Sequence, residues 1–284
     1  MFLAGHSSSF PTLGVERLLD FYSELGFDAI SLGAERYGEI TDPEALGRRA
    51  DRCHIPIYSM ELPPLELASS APSRRRAALD TAQRLIEFAA ALSCRAVVVY
   101  PREECTRKML VSFYRFSESI MMLEKRCGAL GLILVVGVRA RSLIGTTALQ
   151  VRALDGIRSV NVGALYDQAA LTVARAEDYR TALAALRPFI RLCYCRDTRS
   201  LGARAIWCTL GRGKIPWTEI LAELKRLHYS GFLTYIHTSC QRRPIEQARR
   251  EVESAVAFLR TQVGSRPPAG EQPPAPQQRE DRVE

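Results

Sequence analysis

Leu210-Gly211-Arg212-Gly213-Lys214-Ile215-Pro216-Trp217 is the stretch on which the fold reading turns. Upstream, Phe189-Ile190-Arg191-Leu192-Cys193-Tyr194-Cys195-Arg196-Asp197 is an apolar run that ends in charge, as a buried strand does on leaving a sheet. Downstream, Pro216 suits a first helical turn, and Ile220, Leu221, Leu224 and Leu227 stripe one face of the helix it opens. That helix stops at His228-Tyr229-Ser230-Gly231, and Phe232 to His237 reads as a further short strand with a polar end. The unit is strand, loop, helix, strand, with reactive groups expected where the strands end.

The same alternation fills the rest of the chain. Apolar runs at Phe2 to Gly5, Gly26 to Leu32, Ile55 to Met60, Arg95 to Tyr100, Leu132 to Val136 and Val160 to Leu165 are each followed by a helical pattern. Asp42-Pro43-Glu44 supplies a cap, a first-turn proline and a first-turn acid. Met109, Phe113, Phe116, Ile120 and Leu123 stripe a long helix as core residues, and Ile245, Ala248, Val252, Ala255 and Leu259 stripe the last one. Eight strand-helix repeats predict an α/β protein, a single (β/α)8 barrel over residues 1–263. An open doubly wound sheet is the competing topology, but Gly5-His6-Ser7-Ser8-Ser9 lacks the Gly-x-Gly-x-x-Gly of a dinucleotide site. Residues 264–284 carry five prolines among Gln, Glu and Arg and predict a disordered tail.

At 284 residues and 47% hydrophobic, the chain can bury a large core, and no apolar run approaches the roughly 18 residues of a membrane span. Its start lacks a basic leader followed by a long apolar segment, so a cytoplasmic protein is expected. The eight cysteines form no paired framework; Cys193 and Cys195 lie two apart on one strand face and read as core. The net charge is +8, and because the tail carries three arginines against four acids the remainder carries +9. Either a solubilising surface or a basic mouth for an anionic ligand accounts for that excess. Nucleic acid is disfavoured, since no basic cluster is interleaved with aromatics in a recognisable module.

The block from Phe189 to His237 resembles the last two units of the xylose-isomerase-like barrels, a group of sugar and sugar-phosphate isomerases and epimerases. Leu210-Gly211-Arg212-Gly213 through Trp217 matches their Leu-Gly-x-Gly-x-x-x-Trp turn, and Tyr229-Ser230-Gly231 matches most of a second turn. The resemblance implies a divalent metal held by Glu, Asp, His and Glu at the ends of the fifth to eighth strands. Those positions here are Gly137, Asp167, Tyr194 and Ile236, so Asp167 is the surviving ligand and the set is incomplete. A one-residue slip would bring His237 to the last position, but side chains alternate along a strand and the slip points it elsewhere unless a bulge intervenes. The apurinic endonucleases share the fold and need a His-rich metal cluster, which four histidines in 284 residues do not supply.

The strand ends carry an acid-base set of Asp167, Glu61 and His237, with Asp197 beside them. Two carboxylates across a barrel mouth suit abstraction and return of a proton beside a carbonyl; each acid also reads as an ion-pair partner of a nearby arginine. Arg139, Arg196 and Lys214, with Tyr100 and Asp197, are the expected substrate contacts, and Arg242 and Arg243 add to the same rim. The sequence thus points to an isomerase or epimerase of a small anionic sugar or polyol. A non-catalytic barrel that binds a sugar phosphate or a protein partner is the alternative. Substrate identity and oligomeric state are not written in it.

Overall fold

The computed structural model describes residues 1–103, 109–157, 159–201, 204–237 and 244–264. The expected tail beyond Gly264, together with Arg242 and Arg243, falls outside them. Eight parallel strands close into a barrel: β1 (Phe2–His6), β2 (Ala29–Leu32), β3 (Ile57–Glu61), β4 (Ala96–Val99), β5 (Ile133–Val136), β6 (Val162–Tyr166), β7 (Ile190–Cys195) and, after two short strands described below, β10 (Phe232–Tyr235). Each strand pairs with its neighbours in sequence, and β10 closes on β1 through the register Phe2 with Phe232 to Gly5 with Tyr235. The helices are α1 (Val15–Glu24), α2 (Pro43–Arg52), α3 (Pro72–Ala91), α4 (Met109–Ala129), α5 (Thr147–Asp155), α6 (Gln168–Ala174), α7 (Tyr179–Leu186), α8 (Trp217–Arg226) and α9 (Ile245–Val263). No described helix is long and apolar enough to cross a membrane.

Two apolar layers hold this architecture. One lies between strands and helices and includes Leu3, Ile30, Met60, Val97, Leu134 and Leu233. The other fills the barrel and includes Ala4, Ala29, Val98, Val135, Leu165, Leu192, Tyr194 and Phe232. The strict alternation between them is why the strands read as continuous apolar runs: both faces are buried. Asp42 caps α2 by accepting from the Ala45 amide at 2.8 Å, as the Asp-Pro-Glu sequence predicts. Cys193 and Cys195 do share a face, with their sulfurs 4.0 Å apart in the outer layer.

Two elements depart from the sequence reading. A short antiparallel pair, β8 (Asp197–Thr198) with β9 (Trp207–Cys208), sits after β7, and α6 is an extra helix after β6. Both are too short to show a period in the sequence, two residues and seven. A third feature, Arg36, is a fully buried arginine whose guanidinium donates to the carbonyls of Ser7, Phe10 and Leu13 and to Glu39. It fixes the turn after β1, so the residues that leave that strand are held from outside the barrel.

Candidate active site

The mouth is organised by the turn that opened the reading. Asp197, which opens β8 two residues past the end of β7, accepts from the amides of Thr198, Gly211, Gly213 and Ile215 at 2.8, 3.0, 2.9 and 3.2 Å. Burial pushes its carboxyl above the usual range, and the four amides pull it back. Gly211 takes a positive φ of 78°, the backbone state that glycine tolerates best. Trp217, 1% exposed, donates its indole N–H to the carbonyl of Arg196 at 3.2 Å. The Gly-x-Gly sequence and the tryptophan therefore serve to immobilise Arg196 and Asp197.

Glu61, at the end of β3, is the centre of the second group. Its Oε1 accepts from the hydroxyls of Tyr194 at 2.9 Å and Tyr100 at 3.1 Å, while Oε2 has no bond among the described residues. His6, at the end of β1, places Nε2 3.6 Å from the same Oε1. The Ser8 amide donates to His6 Nδ1, so the ring proton belongs on Nε2, a buried donor without a hydrogen bond. His6 is itself held by Tyr22, whose hydroxyl donates to the His6 carbonyl at 2.7 Å. Burial alone would raise the Glu61 pKa; the His6 ring and the two phenols outweigh it and hold the carboxyl below its ordinary value. Burial and the Glu61 charge push both phenols well above theirs, so each stays a donor.

Asp167, at the end of β6, faces Arg196. The guanidinium forks onto it, Nη2 to Oδ2 at 2.5 Å and Nε to Oδ1 at 3.3 Å, and Oδ1 also accepts from the Ala170 amide at 2.9 Å as the cap of α6. Arg196 lies 5.0 Å from the Trp207 ring centroid, on its face. Burial works against the arginine charge, and the carboxylate more than offsets that, so the pKa stands above the ordinary value. Nη1 makes no bond among the described residues.

The residues expected from sequence separate accordingly. Glu61, Tyr100, Asp167 and Arg196 meet at the mouth. Asp197 is consumed by the turn and offers no open carboxylate for substrate. His237 does not join the acid-base set: its Nδ1 meets the Tyr235 hydroxyl at 2.6 Å and its Nε2 meets Glu251 of α9 at 2.8 Å, outside the barrel. Alternation explains this, because Ile236 packs against the interior and His237 points the other way. Arg139 and Lys214 are exposed and make no ion pair among the described residues. Nothing in the local sequence of His6 or Tyr194 marks them as partners of Glu61.

The four positions implied for a metal do not fit one. Asp167 is spent on Arg196 and the Ala170 amide, Tyr194 donates to Glu61, and Ile236 is apolar. At Gly137 a Cβ would stand 2.2 Å from the Tyr100 ring, so that ring occupies the space of a side chain. Among the described residues no three His, Cys, Asp or Glu side chains are grouped to hold an ion.

A closed eight-stranded barrel with acids and arginine at one mouth defines a class, and residues 19–262 place the chain within it: it belongs to the family described as xylose isomerase-like TIM barrel. Solved structures of the same fold include a D-psicose 3-epimerase from Clostridium cellulolyticum H10 bound to D-tagatose, 19% identical, TM-score 0.80, with 93% of this chain and all of that one covered. An L-ribulose 3-epimerase is 16% identical with a TM-score of 0.78, covering 92% and 94%. An IOLI protein with a bound zinc atom is 13% identical with a TM-score of 0.81, covering 93% and 98%. None of the curated proteins matches the chain.

Proposed function

We propose that the protein is an isomerase or epimerase of a small sugar or sugar phosphate, moving a proton on a carbon beside a carbonyl with Glu61 as the base. The observation that carries the reading is the Glu61 carboxylate: Oε1 is fixed by Tyr100 and Tyr194 with His6 Nε2 3.6 Å away, and Oε2 makes no hydrogen bond among the described residues. The lowered pKa keeps the Glu61 carboxyl unprotonated at neutral pH, so Oε2 is open to a proton, while the same shift weakens it as a base. The phenol oxygens, whose protons are given to Glu61, can accept from sugar hydroxyls, and His6 Nε2 can donate to them. An anionic end of the substrate belongs further out, where Arg139 and Lys214 are exposed and unpaired among the described residues.

The test is exchange of a carbon-bound hydrogen in D2O, followed by proton NMR over a panel of ketoses, aldoses and their phosphates. The expected result is deuterium incorporation into at least one sugar, lost in Glu61→Gln. No incorporation into any of them overturns the reading. A second reading, a barrel that binds such sugars without turning them over, is favoured by one observation: Asp167 is committed to Arg196 and to the α6 cap, which leaves one free carboxylate where two were expected. Thermal stabilisation by a sugar without exchange selects that reading.

A further inference from the structure

We propose that the Arg196 guanidinium is the fixed cation of this mouth, standing at Asp167 in place of a divalent ion, and that it receives the carbonyl oxygen of a hydroxy-ketone or hydroxy-aldehyde. Arg196 is restrained on every side. Asp167 takes two of its nitrogens, Trp207 lies under its plane, and Trp217 pins its carbonyl. The next residue, Asp197, is clamped by four amides. A cation so held needs no reorganisation when charge develops beside it, the condition under which electrostatic stabilisation is largest. Nη1 makes no hydrogen bond among the described residues, and the side chain as a whole is 23% exposed.

Charge selects the ligand. Glu61 and Asp167 set two carboxylates against one guanidinium, so a further anion at this depth is repelled whereas a neutral carbonyl is not, and a phosphate on the same molecule stays at the rim. The step rests on the proton-transfer reading above. Glu61 Oε2 takes a hydrogen from the carbon beside the carbonyl as a proton; that C–H pair forms the carbon-carbon double bond, and the carbonyl π pair moves to oxygen, where Nη1 meets the new negative charge. Return of the proton to the former carbonyl carbon, as the hydroxyl proton of the adjacent carbon passes to the oxygen beside Nη1 and that hydroxyl becomes the new carbonyl, completes isomerisation; return to the opposite face of the same carbon from a donor on that side completes epimerisation; neither needs an oxidant or reductant.

The experiment has two independent arms on the full chain. In the first, Mn²⁺ and Zn²⁺ are titrated calorimetrically and melting is followed with and without EDTA. The expected outcome is no stoichiometric binding and no EDTA effect, while Arg196→Ala loses at least about 5 °C and Arg196→Lys less than half of that. One-to-one micromolar metal binding that Asp167→Asn abolishes overturns the proposal, as does an Arg196→Ala protein that melts with wild type. In the second arm deuterium exchange is measured in EDTA. It should persist in wild type and fall by roughly 100-fold in Arg196→Lys, whose ammonium lacks the fork that leaves Nη1 in place. Unchanged exchange in Arg196→Lys overturns the donor role. No exchange in wild type with the first arm as expected defeats the proton-transfer reading alone and leaves the fixed cation standing.

Discussion

The carboxylate of Asp197 fills the space that a side chain on Gly213 would need: a Cβ there would stand 2.0 Å from Oδ1. The acid and the glycine are thus one device, in which the absence of a side chain lets three turn amides converge on the strand end. Asp197→Ala should leave four donors orphaned at about 1–3 kcal/mol for each that stays buried, for a total of at least about 3 kcal/mol in urea denaturation. Gly213→Ala should cost a comparable amount by displacing the same carboxylate. A change below about 1 kcal/mol in both would show that the turn does not depend on the pair.

Asp167→Asn keeps the shape of the side chain and removes the charge facing Arg196. A fully buried pair broken in this way costs roughly 3–5 kcal/mol; with Arg196 23% exposed, about 2 kcal/mol is expected. Chemical denaturation of the two proteins side by side measures it. A difference within about 0.5 kcal/mol, as for an ordinary surface change, would mean that the ion pair contributes nothing to stability.

Glu61 makes the stability depend on pH with a definite sign. Its folded pKa is lowered, so between that value and the ordinary one the unfolded chain binds more protons and stability rises with pH. The contribution is complete above the ordinary glutamate pKa, about 4.3 in an unfolded chain, and is lost as pH falls through the folded value. Denaturation midpoints of wild type and Glu61→Gln should therefore converge as the pH is lowered below the ordinary glutamate value of about 4.3. A gap that stays constant or widens contradicts the assignment. Tyr194→Phe and Tyr100→Phe each remove a donor and should move the loss to higher pH.

Phosphorylated sugars should raise the melting temperature and their parent sugars should do so less, if the exposed Arg139 and Lys214 receive an anionic end. At a hundredfold excess over Kd the stabilisation is about 2.7 kcal/mol. Arg139→Ala and Lys214→Ala should each reduce the phosphate-specific part and lower its sensitivity to salt, because both act by charge at the surface. Equal shifts from a sugar and its phosphate would dissociate these residues from binding.

The barrel was legible because its signal is a period. Runs such as Ala96–Val99, buried on both faces, and helices striped like α9 state their burial in their spacing. The strand ends were legible too, which is how Glu61, Tyr100, Asp167 and Arg196 could be named. Which of them touch was not, since Tyr194 reaches Glu61 across 133 positions of chain and no local pattern records that. Asp197 misled for a related reason: its charge marks a strand end equally well whether it faces a ligand or, as here, the amides of its own turn. His237 shows the cost of counting one position too far on a strand, where a step of one exchanges inside for outside.

The Tyr100 ring over Gly137 closes a route for redesign. A carboxylate at position 137 would put its first carbon 2.2 Å from that ring, so the ring must move aside to admit it. Giving this barrel a metal-binding fifth strand therefore displaces Tyr100 from the place where its hydroxyl meets Glu61. The two chemistries compete at this mouth, so a designer must choose between them before changing either strand.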